Sequence, residues 1–358
     1  MFRRVISTMV LCSLLTVELA GLAAEPPAAK RIVNLGMASN GQAEGVTDEM
    51  LAAFVAKQPD VERLSLYKGK FTRQGLAALT GLPNLRQLEI SASNVAASEF
   101  APLGVMSGLK SLKFSETPVN DEVLEYASRI RGLTKLELMD FRGANLIRVT
   151  PAGVAAFLDA VDGLEEFLLF GDVVDDRCLE RIGQMADMRR LWITSRIITP
   201  QAWRHLAGLH RMESLYVRGT TFDDAAMKTL EGMPELQELM LDDTKITDAG
   251  MASLAGLTKL GDLGLLNTKI TDKGIENLRG MTELHNLFVA GTQVTVKGLE
   301  VVPQKQKMSM MRVGNRPLSA DEFVELRSMF ERSEIFDPVG FWSPERQKKA
   351  VGNKAEAR

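Results

Sequence analysis

The chain repeats one short segment at a fixed interval. Ile246-Thr247-Asp248-Ala249-Gly250 returns 24 residues later as Ile270-Thr271-Asp272-Lys273-Gly274. A pattern of apolar-x-x-apolar-x-apolar recurs with it, as in the segment LGDLGL that begins at Leu260. Repetition at a period of roughly 20 to 50 residues indicates a solenoid, in which each repeat buries its apolar face against its neighbours. This period constrains the fold more than any other feature of the sequence.

The first residue of each apolar pattern serves as an anchor for counting. From Leu164 to Met308 the anchors are 24 residues apart. The step from Leu133 to Leu164 is 31 residues, the steps between Val61 and Leu133 are 24 each, and the step from Ile32 to Val61 is 29. The twelve anchors are Ile32, Val61, Leu85, Leu109, Leu133, Leu164, Met188, Met212, Leu236, Leu260, Leu284 and Met308.

Each repeat begins with the residue pattern of a strand. In LGDLGL, Leu263 and Leu265 alternate with outward-facing Asp262, Gly264 and Leu266. Because successive side chains of a strand point to opposite faces, this alternation predicts one apolar face in every repeat.

A short helix is predicted after each strand. Threonine stands immediately before an aspartate at Thr247 and Thr271, and before a proline at Thr150 and Thr199. A threonine hydroxyl is a common N-cap, and both a carboxylate and a proline suit the first helical turn. The apolar residues that follow, such as Met251, Leu254, Ile275 and Leu278, then form a stripe facing the strands.

These residues resemble the leucine-rich repeat family, in particular the subtype that reads leucine-x-x-leucine-x-leucine, then threonine, then ITDxGL. The ladder position, commonly asparagine or cysteine in the family, is occupied here by Thr220, Thr244, Thr268 and Thr292. The resemblance covers about four fifths of the chain. It implies an α/β solenoid shaped like a horseshoe, with about twelve parallel strands on the concave face and short helices on the convex face. It implies little about function, because the family is a scaffold.

Residues 1–24 have the three parts of an export signal. Two arginines precede an apolar stretch from Val5 to Leu22, and small residues stand before Glu25. We therefore predict a signal peptide and an exported bacterial protein that is periplasmic, on the cell surface or secreted. A retained membrane anchor is the alternative, although Glu18 would make such a span costly.

Net charge narrows the possible partners, and cysteine content bears on how the fold is stabilised. A net charge of -3 gives no general attraction to polyanions, so no nucleic-acid partner is expected. Removal of the signal would leave Cys178 as the one cysteine, so internal disulfides are excluded and stability must come from packing.

Four segments follow from these patterns. The signal occupies 1–24 and the solenoid 25–315, with seven extra residues inserted around 141–149. A helix capped by Ser319, with an apolar stripe of Phe323, Leu326 and Phe330, marks a C-terminal cap over 316–341. The charged segment 342–358 is predicted to be disordered. The insertion is either a partner-contacting loop or a tolerated bulge.

The residues that carry chemistry do not converge on a catalytic or metal site. The three histidines, His205, His210 and His285, fall at unrelated places in the repeat, and Cys178 replaces a helix glycine of neighbouring repeats. We therefore predict no catalytic residue, no metal and no cofactor. Glu89 and Glu137, two strands apart, suggest the carboxylate pair of a glycosidase, but Lys113 between them favours a surface charge ladder.

A further acidic group could hold a calcium ion. It consists of Glu238, Asp242, Asp243 and Asp262. No dedicated calcium-binding loop accompanies it, so a solvated acidic face is preferred.

The outward residues four positions after each anchor form a row across the strands. The row reads Gly36, Ser65, Glu89, Lys113, Glu137, Leu168, Trp192, Tyr216, Met240, Gly264, Phe288 and Arg312. Its middle is apolar and aromatic, and strand neighbours lie about 4.8 Å apart, so these side chains form a stripe. Stripes of this kind on a concave face are typical of interaction sites, and Trp and Tyr dominate binding hot spots.

The predicted binding residues are therefore Leu168, Phe170, Trp192, Tyr216, Met240, Leu266 and Phe288, with Arg190, Arg218 and Asp242 adding polar selectivity. The function hypothesis is a non-catalytic module that holds a protein or peptide. Glycan binding or glycan processing is one alternative, and a self-assembling structural component is another. Docking of the C-terminal tail on the stripe is a further possibility, and a membrane contact is expected only through an uncleaved signal.

Overall fold

A computed structural model describes residues 32–36, 45–140, 145–338 and 340–341. The predicted signal peptide, the predicted tail at 342–358 and residues 141–144 of the insertion lie outside the described residues. The chain divides into two compact units, Met1–Val173 and Val174–Arg358. In the ranges that the structure describes, no helix is long and apolar enough to cross a membrane.

The first unit is built on a parallel sheet. Neighbouring strands pair in register, so that Ser65, Glu89, Lys113, Glu137 and Leu168 stand opposite one another in turn. The main strands are β1 (Ile32–Leu35), β2 (Arg63–Tyr67), β3 (Gln87–Ser91), β4 (Ser111–Ser115), β6 (Lys135–Met139) and β8 (Glu166–Leu169), with a separate parallel pair of β5 (Val119–Asn120) and β7 (Ile147–Arg148).

Helical segments connect these strands, because parallel neighbours need a crossover connection between the end of one strand and the start of the next. The α-helices are Asp48–Lys57, Arg73–Ala78, Asp121–Ser128 and Pro151–Ala160, and the 3₁₀ helices are Leu79–Gly81 and Ala97–Val105.

The second unit repeats the same plan with shorter elements. Its strands are β9 (Arg190–Ile193), β10 (Ser214–Tyr216), β11 (Glu238–Met240), β12 (Asp262–Gly264), β13 (Asn286–Phe288), β14 (Met310–Arg312), β15 (Glu334–Asp337) and β16 (Gly340–Phe341). From β9 to β15 they are parallel, and β16 pairs antiparallel with β15. The α-helices are Asp176–Gly183, Asp224–Met227, Asp272–Ile275 and Ala320–Met329, and the 3₁₀ helices are Pro200–Gly208, Lys228–Gly232, Gly250–Leu254, Glu276–Gly280, Lys297–Val301 and Lys305–Lys307.

The periodic apolar residues form the cores of both units. Every anchor from Val61 to Met308 is at most 4% accessible. The predicted helix stripes are equally buried, since Met251, Leu254, Ile275 and Leu278 have no accessible surface. Burial of this kind stabilises by roughly 25 cal/mol per Å² of apolar surface, so the repeat pattern itself specifies the core.

The ITDxG motif has a direct structural meaning. Asp248 accepts hydrogen bonds from the backbone N–H of Thr271 at 2.8 Å and from its hydroxyl at 2.6 Å, one repeat further along. Gly274 lies beside this carboxylate, and a Cβ there would overlap Asp248 Oδ1. These three residues therefore link successive repeats, and we call this contact the staple. The aspartate of one repeat accepts hydrogen bonds from the threonine of the next, and the glycine that follows this threonine leaves space for the carboxylate.

The staple recurs in both units. The pairs are Asp48–Thr72, Asp121–Thr150, Asp176–Thr199, Asp224–Thr247, Asp248–Thr271 and Asp272–Thr295. Glycine takes the third position after the threonine in five of the six pairs, at Gly75, Gly153, Gly250, Gly274 and Gly298, and Ala202 takes it in the sixth.

Proline interrupts this staple in a predictable way. Pro200 occupies the position of the forward-reaching aspartate, and the next repeat then begins its helix with Asp223 in place of a threonine. Asp223 accepts from the N–H groups of Ala225 and Ala226 in its own helix at 3.1 and 3.0 Å. Because the preceding repeat has no aspartate to contact it, the cap residue Asp223 bonds to the N–H groups of its own helix.

The predicted helix caps are confirmed in part. Thr150 and Thr271 accept hydrogen bonds from Gly153 and Lys273 in the first turn. Thr199 makes no side-chain cap, and its hydroxyl instead donates to Asp176. At Thr247 the hydroxyl accepts from Ala249, but the helix begins later, at Gly250.

The threonine ladder is buried within the second unit. Thr220, Thr244, Thr268 and Thr292 are 2 to 6% accessible. Each hydroxyl donates to the carbonyl three residues earlier, at 2.6 to 3.1 Å. Each ladder threonine thus stabilises the turn after its strand through a hydrogen bond within its own repeat.

The structure corrects two features of the predicted register. Ser65 pairs with Asn34 and not with Gly36, so the step before Val61 is 31 residues (65 minus 34) and the anchor at Ile32 is misplaced by two. Beyond Met308, β15 continues the period within the segment predicted as a cap, because Phe336 lies opposite Arg312. The polar Arg332 at the expected anchor position concealed this additional parallel strand.

The helix predicted in the cap segment is confirmed at Ala320–Met329. Ser319 and Glu322 form a reciprocal capping box, and Phe323, Leu326 and Phe330 are buried as expected. The described end of the insertion is anchored: Leu146 donates to Asp140 Oδ2 at 2.9 Å, and β7 pairs with β5.

Candidate functional site

The second unit carries the predicted apolar row on the side of its strands that faces away from the helices. Leu215 and Val217 have no accessible surface, so Tyr216 between them points to the opposite face. Tyr216 stands in register between Trp192 on β9 and Met240 on β11. Gly264 and Phe288 continue the row on β12 and β13. We call the strand residues on this side the strand face of the second unit.

Trp192 and Tyr216 form the aromatic centre of the strand face. Their ring centroids are 5.5 Å apart, with the planes tilted by 34°. The indole N–H of Trp192 donates to the hydroxyl of Ser214 at 3.1 Å. Because the indole is held by a hydrogen bond and a ring contact, its orientation is fixed.

The row is more deeply buried than the sequence pattern predicts. Trp192, Tyr216, Met240 and Phe288 are each only 6 to 7% accessible. Outward alternation alone cannot anticipate this burial, because crowding on the face depends on the neighbouring side chains as well as on direction. The row is therefore an apolar floor and not a set of projecting side chains.

More accessible residues border this floor on both sides. Two positions earlier on the strands, Arg190 is exposed and Glu238 and Asn286 are half-buried. Two positions later, Arg218 and Leu266 are half-buried. The strand face thus combines a buried apolar floor with partly exposed, mostly polar borders.

Arg218 and two aspartates form the polar group beside Tyr216. Arg218 Nε donates to Asp243 Oδ2 at 2.9 Å. Asp242 is 6% accessible, and its Oδ1 accepts from the backbone N–H of Leu266 at 2.9 Å. Burial raises the pKa of Asp242 to about 6, against the opposing effects of that N–H and of Arg218. Burial also raises the pKa of Tyr216 to about 12.

A second acidic group lies at the other border. Asp262 is 8% accessible and accepts a hydrogen bond from the Asn286 amide, with His285 Nε2 at 3.6 Å from its Oδ1. Burial raises the pKa of Asp262, although His285 and Asn286 oppose this. Burial likewise raises the pKa of Glu238, which stands opposite Asp262 in the sheet. The predicted solvated acidic face is thus partly buried.

Leu168 and Phe170, the remaining predicted binding residues, belong to the first unit. Leu168 is 5% accessible on β8, opposite Glu137 on β6, and Phe170 follows the strand and is half-buried. The row that the sequence presents as continuous is therefore distributed over two compact units.

The strands of the first unit carry charges where those of the second carry apolar side chains. Lys113 Nζ lies 3.5 Å from Glu89 Oε1 and 3.6 Å from Glu137 Oε2. Lys135 Nζ then joins Glu137 at 2.6 Å and Glu166 at 2.7 Å. Both candidate glycosidase carboxylates are thus bound to the same lysine, in the charge ladder that the sequence favoured.

The histidines and the cysteine occupy different positions in their repeats. His205 lies in the helix Pro200–Gly208, and His210 Nδ1 is 2.7 Å from the carbonyl of Gly232. Cys178 is fully buried in its helix, and burial raises the pKa of its thiol to about 12. Among the residues that the structure describes, no three His, Cys, Asp or Glu side chains are grouped to hold a metal ion.

Sequence reasoning missed several members of the strand face. Phe336 extends the row onto β15, and the Arg312 guanidinium lies 5.5 Å from its ring centroid in a cation–π contact. The sequence also gave no sign that Ser214 holds Trp192 or that Asp243 holds Arg218. Counting the 24-residue step past Met308 regardless of the polar anchor would have found Phe336.

Comparisons with known proteins support the fold. No family model and no curated protein matches this sequence. Among solved structures, the chain is similar to an internalin from Listeria monocytogenes with a TM-score of 0.55 and 17% identity, over 84% of this chain and 91% of that one. It also matches a plant peptide hormone receptor, RGFR1 in complex with RGF2, with a TM-score of 0.46 and 13% identity, over 79% of this chain and 48% of the receptor chain.

The repeats, the thirteen parallel strands among the described residues and the similarity to the internalin define an α/β leucine-rich repeat solenoid. At this level of identity the similarity concerns the fold alone.

Proposed function

We propose that this protein is a non-catalytic binding module that holds a protein or peptide on the strand face of the second unit. The observation that carries the proposal is the in-register row of Trp192, Tyr216, Met240 and Phe288 on one side of a regular sheet. Nothing in the packing of a leucine-rich repeat requires large aromatic residues at these outward positions, because the opposite side of each strand already supplies the core.

The chemistry of the row suits macromolecular recognition. Only 6 to 7% of Trp192 and Tyr216 is accessible, but their rings have few rotatable bonds, so little conformational entropy is lost when a partner contacts the exposed edges. The hydrogen bond from Trp192 to Ser214 and the contact with Tyr216 fix the rings before a partner arrives. Pre-organisation of this kind increases affinity because the side chains need no further ordering on binding.

The borders supply polar contacts of both signs. Arg190 is exposed on β9, whereas Glu238 and Asp262 lie opposite each other on the paired strands β11 and β12. A partner with a complementary arrangement of charges would be selected over one of uniform charge.

Two other functions have less support. Glycan processing would need a carboxylate pair free to exchange protons, and Glu89 and Glu137 are both bound to Lys113. Self-assembly through the strand face would use the same aromatic row, and the experiment below distinguishes it.

We also propose that the protein is exported to the cell envelope or exterior. The support is the sequence pattern of residues 1–24, with its arginines, apolar stretch and small residues before Glu25. Determining the N-terminal sequence of protein recovered from cells would test this, and an N-terminus at Glu25 is the expected result.

Affinity capture from native envelope extract tests the binding function. The bait is the full chain, compared with a Trp192→Ala/Tyr216→Ala variant whose fold is verified by circular dichroism. Because both rings are buried, Leu266→Lys provides a second variant that adds a charge at a half-buried position of the strand face and keeps both rings. Capture by the wild type that is lost in both variants would support the proposal. Equal capture by all three would sink it, and concentration-dependent association of the wild type alone would indicate self-assembly.

A further inference from the structure

We infer that a cavity in the first unit binds a small carboxylic acid, with Arg86 holding the carboxylate and apolar walls holding the hydrocarbon part. The cavity has a volume of about 260 Å³ and lies between two successive turns of the repeat, 79–86 and 105–109. Each turn leads from a 3₁₀ helix to the next strand, β3 in one case and β4 in the other. The site shares no residue with the strand face of the second unit and is independent of the function proposed above.

Apolar side chains form most of the cavity wall. Leu82, Leu85, Met106 and Leu109 line it and are 1 to 6% accessible. Val105 lines it as well but is 71% accessible, so the apolar wall continues to the solvent-exposed opening. Other repeats have glycine at this position, four residues before the anchor, so the core of the repeat does not require a valine here. These glycines are Gly81, Gly208, Gly232, Gly256 and Gly280.

Arg86 is held in place across both turns. Its Nη1 donates to the carbonyls of Pro83, Leu85 and Gly108 at 3.1, 3.4 and 3.3 Å. Gly108 makes this position possible, because a Cβ there would lie 2.6 Å from Nη1. The guanidinium is therefore oriented before any ligand arrives, which reduces the entropy cost of binding.

The outer edge of the same guanidinium can bind a carboxylate. An arginine side chain has five N–H groups, and Nη1 carries two of them. Among the residues that the structure describes, Nε and Nη2 of Arg86 have no hydrogen-bond partner. Together these two nitrogens present parallel N–H groups that match the two oxygens of a carboxylate. Ser107 also lines the cavity and adds a hydroxyl donor.

The charge and size of the cavity define the ligand further. Arg86 is the one charged residue in the described lining, so a ligand with a single negative charge is matched and no lining carboxylate competes with it. The apolar walls favour an acid with a hydrocarbon body. A volume of 260 Å³ corresponds to roughly nine water molecules at about 30 Å³ each, which is about the size of hexanoate.

The cavity occurs where the chain departs from a contact found in other repeats. In the second unit, ion pairs link successive turns through the residues just before the anchors. The pairs are Asp187–Arg211, Glu235–Lys259 and Glu283–Lys307. The turns around the cavity have Asn84 and Gly108 at this position, so no ion pair can form between them. The space between these turns is left to Arg86 and a ligand.

An NMR titration of the full chain with hexanoate tests this site, and hexanamide serves as the neutral analogue of the same shape. Arg86→Gln removes the charge. Arg86→Lys keeps a cation that can reach the Gly108 carbonyl, as Lys110 Nζ reaches the carbonyl of Gly132 in the following repeat at 3.0 Å. Val105→Gly introduces the residue of five other repeats and removes the exposed apolar wall. Lys110→Gln is the control, because it removes a cation that does not line the cavity.

Hexanoate is expected to bind the wild type and Lys110→Gln with the same dissociation constant. Hexanamide on the wild type, and hexanoate on Arg86→Gln, should bind about tenfold more weakly or worse, because charge-assisted hydrogen bonds are lost. Arg86→Lys should fall between, since it keeps the charge without the paired N–H groups, and Val105→Gly should weaken hexanoate several-fold.

Three results would overturn the site. The first is no saturable binding of hexanoate to the wild type, and the second is equal binding of hexanoate and hexanamide. The third is unchanged affinity in both Arg86 variants with their fold verified by circular dichroism, which would place the acid elsewhere on the chain.

Discussion

Asp248 binds both the backbone N–H and the hydroxyl of Thr271 in the following repeat, at 2.8 and 2.6 Å. This contact ties the start of one helix to the start of the next. Within the described residues the same relationship joins six pairs of repeats. The helix starts of each unit are therefore held by charge-assisted hydrogen bonds in addition to the apolar core.

Removing the carboxylate should weaken the second unit. Asp248→Ala leaves the N–H and hydroxyl of Thr271 without their acceptor, and hydrogen bonds to charged groups contribute about 1.5 to 3 kcal/mol each. We expect the free energy of unfolding to fall by about 2 kcal/mol, measured by urea denaturation. Glu276→Ala, an exposed carboxylate in the next helical segment, should change it by less than about 0.5 kcal/mol. Similar effects of the two substitutions would contradict the staple.

Gly274 is expected to be coupled energetically to Asp248. An alanine Cβ would overlap Asp248 Oδ1 and lie 2.9 Å from Ile270 Cγ2, so Gly274→Ala should destabilise by about 1 to 3 kcal/mol. Gly280→Ala is the matched control, because an alanine Cβ at that position would have no atom within 4 Å. In a double-mutant cycle, Gly274→Ala should cost less on an Asp248→Ala background. Purely additive effects would show that the glycine is needed for another reason.

Asp242 should make the second unit less stable above pH 6 than below it. Its folded pKa of about 6 lies above the ordinary aspartate value of 3.8, so the folded state binds the proton more tightly. The resulting cost is present in full above the folded pKa and disappears as the pH falls through 6 towards 4. A shift of this size corresponds to a cost of up to about 3 kcal/mol.

Asp242→Asn isolates this effect, because the amide oxygen can still accept from Leu266. The variant should be more stable than the wild type at pH 8 and lose that advantage at pH 4, as measured by urea denaturation at both values. A pH-independent difference between the two proteins would contradict the assignment.

Cys178 should be inert in the folded protein. Its side chain has no accessible surface, and burial raises the pKa of the thiol to about 12, so almost no thiolate exists at neutral pH. A maleimide added to a Cys12→Ser chain at pH 7 should label Cys178 only after denaturation in urea. Rapid labelling of the native chain would contradict this burial and reopen a reactive role.

The repeat period predicted most of the fold because burial and periodicity are local properties of the sequence. The strand pairing follows from the 24-residue step, and residues such as Leu263 and Leu265 identify the buried side directly. Prediction failed where an anchor was polar, at Arg332, and where the step itself was irregular, before Val61. Both failures arise because the strand register was predicted from a single anchor residue in each repeat.

The site was less predictable than the fold. Sequence alternation correctly gave the row of Trp192, Tyr216, Met240 and Phe288, because strand register brings equivalent positions together. It did not give the burial of that row or the raised pKa of Asp242. These properties depend on how side chains from several strands crowd together, which no single repeat specifies.

The most direct test of the binding function is the dissociation constant of a captured partner, measured with four proteins of verified fold. They are the wild type, Trp192→Ala/Tyr216→Ala, Leu266→Lys, and Ile197→Ala/Val324→Ala, which removes exposed apolar side chains from outside the apolar row. Loss of hot-spot residues costs at least about 2 kcal/mol, so both strand-face variants should bind roughly 30-fold more weakly or worse, and the control should match the wild type. Unchanged affinity in the two strand-face variants, or a loss confined to the control, would contradict binding on the strand face.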